Sequence, residues 1–231
     1  PNVTTTYTFT PNPGECATTA TMQVVITQIP SVIATPITET ICSLQSTGIS
    51  LSSSISGTTF SWTTTATDVS GDSSGSGNVI SQVLTATGTL VGNVQYTITP
   101  TNNSCSGAPI NVTVLVTPKP TLTATAVSNS ICSGSATAIS LVGSMPNTNF
   151  SWNLIQNNVT GGTIGSGNVI AQTLNTITNS SGEAVYAITP SVNGCRGITT
   201  TVSIIVNPIP VAIINPAAGQ TLCSGQTTAI S

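Results

Sequence analysis

The chain has 231 residues, a formal net charge of −3 and a charged content of only 3%. Nucleic-acid binding requires a basic surface, and the chain has only two basic residues, Lys119 and Arg196, so this function is excluded. No apolar run approaches the roughly 18 residues of a membrane-spanning helix, so we expect no membrane span.

Residues 1–30 predict a β-hairpin. Apolar residues alternate with polar ones on both sides of a Pro-Gly turn, at Tyr7, Phe9, Met22 and Val24. Two such runs separated by turn residues are typical of a hairpin. Because Cys16 recurs as Cys105 89 residues later, we interpret residues 1–30 as the C-terminal part of a preceding repeat.

Residues 31–120 predict a complete repeat of about seven short strands with no helical periodicity. Phe60 and Trp62 alternate on the third predicted strand, a Gly/Ser loop follows at 70–77, and Tyr96 lies near the start of the sixth. This order is typical of an immunoglobulin-like sandwich, in which the tryptophan fills the core and the tyrosine makes a corner hydrogen bond.

Residues 121–210 predict a second complete repeat, because Trp152 follows Trp62 by 90 residues and Phe150 and Tyr186 keep the same interval. Residues 211–231 predict the start of a following repeat. Proline-containing pieces at 27–30, 117–120 and 207–210 mark the junctions, since proline cannot donate to a sheet ladder. The predicted fold class is all-β, with tandem sandwich repeats of about 90 residues arranged as a rod.

The repeated motifs resemble a known family. They are Ile41-Cys42-Ser43, Phe60-Ser61-Trp62, Gly75-Ser76-Gly77-Asn78, Tyr96-Thr97-Ile98-Thr99-Pro100 and Cys105, with Ile131-Cys132-Ser133-Gly134 and Asn193-Gly194-Cys195 in the second copy. The pattern resembles the PKD-like repeats of giant Bacteroidota cell-surface adhesins. That resemblance implies a secreted tandem array, including gliding adhesins exported by the type IX system. Leu44 departs from the pattern, because a glycine is usual there.

The cysteines predict disulfides in an oxidising compartment. There are six, Cys16, Cys42, Cys105, Cys132, Cys195 and Cys223, and the chain has no histidine and no C-x-x-C pair. Cys42 bonds either Cys105 within its repeat or Cys195 in the next. The sandwich topology places Cys42 and Cys105 at opposite poles, roughly 20 to 25 Å apart, whereas a disulfide requires Cα atoms within about 7 Å.

Catalytic, metal and cofactor sites are not predicted. A serine nucleophile needs a base, and histidine is absent. Asp68 and Asp72 correspond to Asn158 and Gly162 in the second repeat, so we interpret them as loop residues and not as a carboxylate pair or calcium ligands. The Gly-Ser-Gly motif lacks the lysine of a phosphate loop and indicates a turn. We therefore predict a protein that is not an enzyme.

Surface residues leave binding roles open. The tryptophans are typical of either sugar-stacking platforms or a core, and their alternation with phenylalanine favours the core. Threonine runs at 63–65 and 199–201 are typical of a solvated sheet face or an ice-binding one, and we favour the former. Because lysines do not protect the edges, we expect glycans or neighbouring molecules to cover them. Glycosylation sequons occur at Asn2, Asn102, Asn111, Asn149, Asn158 and Asn179.

The expected function is a structural segment of a long extracellular adhesin or surface filament at the cell surface, acting as a stiff stalk. The expected partners are neighbouring repeats, further copies that associate into fibres, and surface glycans. Two alternatives remain, namely a carbohydrate-binding repeat array and a passive spacer in a secreted multidomain enzyme.

Overall fold

The computed structural model describes residues 3–211, 221 and 223–225, and these residues form strands, turns and bends without a helix. The chain divides into two compact units, Pro1–Lys119 and Pro120–Ser231. The all-β prediction is confirmed. Among the residues described, no helix has the length and apolarity needed to cross a bilayer. Most of the segment 211–231, and the sequon at Asn2, lie outside the described residues.

The strands of the first unit are short, apart from the three central ones of its main sheet. They are β1 Thr5–Phe9, β2 Ala20–Val24, β3 Ile33–Thr35, β4 Thr38–Cys42, β5 Gln45–Ser46, β6 Ile49–Ser52, β7 Thr59–Thr67, β8 Val69–Ser70, β9 Gly75–Ser76, β10 Val79–Ile80, β11 Val83–Ala86, β12 Gly92–Asn102, β13 Cys105–Ser106 and β14 Ile110–Thr117.

The second unit repeats this series from the third strand onward. Its strands are β15 Leu122–Ala126, β16 Ser130–Cys132, β17 Ser135–Ala136, β18 Ile139–Gly143, β19 Asn149–Asn157, β20 Val159–Thr160, β21 Gly165–Ser166, β22 Val169–Ile170, β23 Thr173–Thr176, β24 Gly182–Val192, β25 Cys195–Arg196 and β26 Thr200–Asn207.

Each unit contains one six-stranded sheet and two three-stranded ladders. In the first unit the large sheet has the order β4-β14-β12-β7-β9 with β13 on β12, and the ladders are β10-β6-β3 and β5-β11-β8. The second unit has the matching orders β16-β26-β24-β19-β21 with β25 on β24, β15-β18-β22, and β17-β23-β20. In both units one pair, β4 with β14 and β16 with β26, is parallel.

The core of each unit follows from period-2 alternation. Along β12 and β24 every second residue is buried, so one face of the large sheet packs against the two ladders. The first core includes Ile49, Leu51, Phe60, Trp62, Ile80, Leu84, Tyr96, Ile98 and Val114. The second contains Ile139, Leu141, Phe150, Trp152, Ile170, Leu174, Tyr186, Ile188 and Ile204. Each fully buried aliphatic side chain contributes about 1.5–3 kcal/mol to folding.

The predicted N-terminal hairpin is present. Strands β1 and β2 pair antiparallel over five residues, with Tyr7 opposite Met22. Their apolar side chains are exposed, Tyr7 by 43% and Phe9 by 60%, whereas the corresponding Tyr96 is fully buried. Strands β1 and β2 therefore have the pairing of the last two strands of a repeat without a covering layer of ladders.

Candidate functional site

A tryptophan fills the centre of each unit. Trp62 and Trp152 are each 7% exposed, and each lies two residues after a buried phenylalanine on the same strand face. The indole Nε1 of Trp62 donates to the carbonyl of Ser73 at 3.2 Å. Trp152 donates to the carbonyl of Thr163 at 3.1 Å. Neither ring presents the open face that sugar stacking uses.

The Gly-Ser-Gly motif has a packing role that the sequence did not reveal. Gly75 and Ser76 form strand β9, which pairs with β7 at Trp62 and Ser61, so the predicted loop at 70–77 contains a strand. A Cβ at Gly75 would lie 2.8 Å from the Trp62 ring, and one at Gly165 would lie 2.8 Å from Trp152. Glycine is therefore required for the strand to cross the indole.

A network of polar groups closes the edge of the core in the first unit. The Tyr96 hydroxyl donates to Gln82 Oε1 at 2.9 Å, and Gln82 Nε2 donates to the Ser73 carbonyl at 2.7 Å. The backbone N–H of Gln82 donates to Thr47 Oγ1, and the Thr47 hydroxyl donates to the Ile80 carbonyl. Because Ser73 also accepts from Trp62, one glutamine joins both large aromatic residues to the segment 73–82.

The second unit contains the same network. The Tyr186 hydroxyl donates to Gln172 Oε1 at 3.0 Å, and Gln172 Nε2 donates to the Thr163 carbonyl at 2.9 Å. The backbone N–H of Gln172 donates to Thr137 Oγ1. The Trp152 bond to Thr163 completes it. Every group therefore recurs, with serine at 73 replaced by threonine at 163, whose carbonyl serves equally well.

Burial raises the pKa of both tyrosines, because a phenolate is poorly solvated in the core. The pKa of Tyr96 rises to about 12, chiefly through burial and secondarily through the negative charge of Asp72. Burial raises the pKa of Tyr186 as well. Both hydroxyls thus remain protonated donors over the whole physiological pH range.

The predicted corner hydrogen bond takes a different form. Each tyrosine bonds a glutamine side chain, and the glutamine bonds the backbone, so the connection is indirect. Sequence reasoning missed Gln82 and Gln172. The signal was available, because these glutamines keep the same 90-residue interval as the tryptophans. A polar residue repeated at the interval of the core residues indicates a hydrogen-bonding role beside the core.

Asp68 and Asn158 occupy equivalent turns with a left-handed backbone, at φ 57° and 54°. Asp68 and Asn158 each accept a backbone hydrogen bond through the main-chain carbonyl, from Thr87 and Ile177. Aspartate and asparagine are the non-glycine residues that best tolerate this conformation, which explains their exchange. Among the residues described, no cluster of three or more His, Cys, Asp or Glu residues is placed to hold a metal.

Leu44 keeps the turn that its glycine counterpart forms. Its φ is 69°, and that of Gly134 is 84°. Its amide donates to the Leu84 carbonyl, and the Gly134 amide donates to the Leu174 carbonyl. The departure at Leu44 therefore leaves the local fold unchanged, although a non-glycine residue is strained there.

The two cysteines of each repeat lie at opposite ends of the large sheet. Cys42 pairs with Thr117 of β14, and the neighbouring Val116 pairs with Gly92 at the start of β12. Cys105 pairs with Asn102 at the other end of β12. Ten residues of strand separate these levels, which is about 34 Å. Cys132 and Cys195 have the same placement on β26 and β24. The separation exceeds the sequence-based value and prevents a direct bond.

The bonding state of the cysteines agrees with that distance. Cys42 and Cys195 are disulfide-bonded. Cys16, Cys105, Cys132 and Cys223 are free. The within-repeat bonds from Cys42 to Cys105 and from Cys132 to Cys195 are therefore not formed.

The start of each sandwich is held by a glycine in the last hairpin. A Cβ at Gly107 would lie 1.8 Å from the Pro30 carbonyl, and one at Gly197 would lie 1.8 Å from the Pro120 carbonyl. Pro30 and Pro120 are both buried. The junction prolines are thus packed parts of the sandwich that follows them.

The outward faces of the two large sheets differ in chemistry. On the first, Thr63 is opposite Thr97 and Thr65 is opposite Gln95. On the second, Ile155 is opposite Val185, and Ile155 is 70% exposed. The Asn102 sequon is not available, because this side chain is 5% exposed and donates to the Ser56 carbonyl at 2.9 Å.

Comparisons with known proteins identify the two units. The model of a family described as "PKD-like domain" matches residues 39–120 and 129–210. A comparison with curated proteins found no similar sequence. Several solved structures resemble the chain at low identity.

The fibronectin(III)-like modules of Clostridium thermocellum CbhA are 14% identical, with a TM-score of 0.34, over 77% of this chain and 95% of theirs. The Escherichia coli adhesin FdeC is 15% identical, with a TM-score of 0.40, over 83% of this chain and 69% of its own. The human desmocollin-1 ectodomain is 8% identical, with a TM-score of 0.38, over 86% of this chain and 46% of its own.

Proposed function

Because the chain belongs to the PKD-like domain family and repeats one core and one polar network without repeating its ionised residues, we propose that it is a structural segment of a long extracellular adhesin or surface filament that acts as a stiff stalk. The proposed repeat units are 31–120 and 121–210. The proposed mechanism is mechanical and involves no catalysis.

The observation that carries this proposal is the parallel pairing of the terminal strands. In the first unit β4 pairs with β14 over five residues, Thr38–Cys42 against Thr113–Thr117. Tension along the chain pulls the start of β4 and the end of β14 in opposite directions. In a parallel pair this loads all the ladder hydrogen bonds together in shear. Bonds loaded together resist more force than bonds that are peeled one at a time.

The second unit has a shorter ladder of the same kind. Its β16 pairs with β26 over three residues, Ser130–Cys132 against Ile205–Asn207. Stretching single molecules of the whole chain under reducing conditions tests the proposal, because a disulfide at Cys42 and Cys195 would otherwise carry the tension past the ladders. Two unfolding events are expected, with the weaker from the second unit, because forced unfolding depends on the barrier that the terminal ladder sets. Unfolding of both units at forces typical of peeled hairpins would refute the stalk role.

We further propose that Cys42 bonds Cys195 and links adjacent repeats. The support is that both cysteines are disulfide-bonded, that Cys105 and Cys132 are free, and that about 34 Å separates the two cysteine positions within a repeat. In the loop-entropy model such a bond contributes about 4 to 5 kcal/mol to stability. Non-reducing peptide mapping of protein from an oxidising compartment tests this link, and a peptide joining Cys42 to Cys105 would contradict it.

A rod is the proposed arrangement of the repeats. The longest strand of each unit has 11 residues, about 37 Å, so two units end to end measure about 75 Å. Small-angle scattering before and after reduction measures this dimension. A maximum dimension that is much shorter, or that does not respond to reduction, would argue against a stiffened junction.

The proposed location is the cell surface, after export by the type IX system of a Bacteroidota cell. The support is the motif resemblance to gliding adhesins. The proposed partners are adjacent repeats, further copies in fibres, and surface glycans. Protease treatment of intact cells tests the location, because only a surface protein is cleaved without lysis. Intact-mass measurement of native protein tests glycan attachment.

A further inference from the structure

The outward face of the large sheet in the second unit carries both charged residues of that unit, Glu183 and Arg196. Glu183 lies on β24, where alternate residues point away from the core, and it is half-buried. Arg196 is exposed and pairs with Ser191 of β24, so it lies on the same face. Ser191 follows Glu183 by eight residues of strand, about 27 Å, so the two charges do not pair within one chain.

Apolar side chains cover the half of this face that contains Glu183. Ile155 of β19 is 70% exposed and lies opposite Val185 of β24. Ile205 of β26 is 38% exposed and lies opposite Glu183. Ala187 follows Val185 on the same face of β24. An apolar patch surrounded by polar residues is a feature of protein-contact surfaces.

The outward face of the first unit has neutral polar residues at the corresponding positions, each 90 residues earlier in the sequence. They are Thr65 for Ile155, Gln95 for Val185, Thr97 for Ala187, Asn93 for Glu183 and Ser106 for Arg196. Because the two cores are alike, packing inside a unit does not require this difference. The second face therefore has a combination of charge and apolar surface that folding alone does not explain.

This face is complementary to itself. Two copies that pack face to face about a two-fold axis perpendicular to β24 have strands that run in opposite directions. Glu183 of each copy then lies within reach of the long Arg196 side chain of the other. An axis parallel to β24 would instead place the two Glu183 carboxylates opposite each other, and like charges repel.

The apolar residues fit the same arrangement. An axis that crosses β24 between Val185 and Ala187 places Val185 of one copy against Ala187 of the other. The two Ile155 side chains are then offset by two residues, about 7 Å, so they interleave as side chains do between packed sheets. Both ion pairs and the apolar contact can therefore form at once.

The size of the face sets the strength of the contact. Strands β16, β26, β24 and β19 lie side by side. Together they are about 19 Å wide, and the stretch between the two charges is about 27 Å long, so pairing buries about 1,000 Å² in total. This area is at the lower limit for a specific contact, so we expect a dissociation constant of about 100 μM.

We propose that the outward face of the second unit pairs with the same face of a second copy of this chain, in antiparallel orientation, through two Glu183–Arg196 ion pairs around an apolar centre. This inference rests on the proposed association of further copies, to which it assigns a surface, and does not depend on the mechanical role. Within the proposed stalk, such a contact joins two chains that point in opposite directions.

Sedimentation equilibrium of the whole chain tests the proposal, with the free thiols alkylated so that no intermolecular disulfide forms. The mass is expected to rise reversibly from monomer towards dimer between about 5 and 500 μM. Glu183→Arg and Arg196→Glu are each expected to weaken dimerisation at least about tenfold, because each places like charges together. An equimolar mixture of the two variants is expected to dimerise again, because opposite charges then meet at both ends.

Two further variants provide matched controls. Ile155→Thr imports the residue that the first unit has at this position, so the protein folds and dimerisation weakens by about tenfold. Asn93→Arg places an arginine at the corresponding position of the first unit and is expected to leave dimerisation unchanged.

A chain that stays monomeric at about 500 μM overturns the proposal. Dimers that are unaffected by both charge variants also overturn it, because they form through another surface, such as the exposed side chains of the hairpin β1–β2. The stalk proposal is tested separately by stretching. A monomeric chain that resists force refutes the pairing alone, and a chain that dimerises but yields to low force refutes the stalk alone.

Discussion

The two units differ at the point where the first strand of the sandwich changes sheets. In the first unit, three residues pair with β6 and five then pair with β14. In the second unit, five residues pair with β18 and three then pair with β26. The total number of paired residues is the same, but its division between the three-stranded ladder and the large sheet is reversed.

A single residue accounts for where this ladder ends. Pro36 stands where the second unit has Ala126. Ala126 pairs with Ile139 in the ladder, whereas proline has no amide to donate, so β3 ends at Thr35. The chain then crosses to the large sheet two residues earlier. Local backbone chemistry thus sets how much of the strand pairs with the large sheet, while the core beneath it stays the same.

The largest expected effect tests whether the cores are indeed equivalent. Trp62→Ala and Trp152→Ala are each expected to lower the free energy of unfolding of their own unit by about 3–5 kcal/mol, because each ring is equally buried. The chain has two tryptophans, one in each unit, so each variant keeps the fluorescence reporter of the unaltered unit. Calorimetry follows both units. Clearly unequal losses would show that the cores differ.

The control for the tryptophan variants is Ile155→Ala. This side chain is 70% exposed on the outward face of the second unit. Its removal is expected to change the free energy of unfolding by no more than about 0.5 kcal/mol. A large loss would show that this face is covered in solution.

A smaller effect is expected from the polar network. Gln82→Leu and Gln172→Leu each leave a buried tyrosine hydroxyl without its acceptor, at a cost of about 1–3 kcal/mol. Tyr96→Phe removes the donor, so the double variant with Gln82→Leu is expected to lose less than the sum of the two single variants. Urea unfolding measures all of them. Additive losses would mean that the bond contributes nothing.

Alkaline pH provides a weaker perturbation of the same network. A raised pKa means that folded Tyr96 keeps a proton that the unfolded chain loses above pH 10. Stability is therefore fully present below pH 10 and falls as the pH rises towards about 12. Tyr96→Phe is expected to flatten this slope in the first unit, as measured by urea unfolding across the range. An unchanged slope would assign the alkaline loss to another group.

The smallest change in free energy is expected where the units differ. Exchanging Pro36→Ala and Ala126→Pro redistributes ladder pairs without removing the core, so each free energy of unfolding shifts by about 1 kcal/mol or less. The unfolding forces of the two units are nevertheless expected to exchange rank when single molecules are stretched under reducing conditions. An unchanged rank would mean that the terminal ladder does not set the mechanical barrier.

The sequence by itself determined the repeat, the sandwich class and the core. Trp62, Tyr96 and their counterparts recur at a fixed interval, and period-2 alternation decides which face of a strand is buried. The family resemblance drew on the same positions. These features are local in sequence, or repeat along it, so they can be read before the chain folds.

Only the tertiary structure decided which distant residues of the chain contact each other. Three features depend on how distant segments of the chain meet. They are the hydrogen bond from Tyr96 to Gln82, the contact of Gly75 with Trp62, and the distance of about 34 Å between the cysteine positions of one repeat. The unequal terminal ladders have the same origin, because proline forbids one hydrogen bond but does not say which strand receives the freed residues. Pairing across a sheet is set by the packing of both layers together, and a one-dimensional pattern does not contain it.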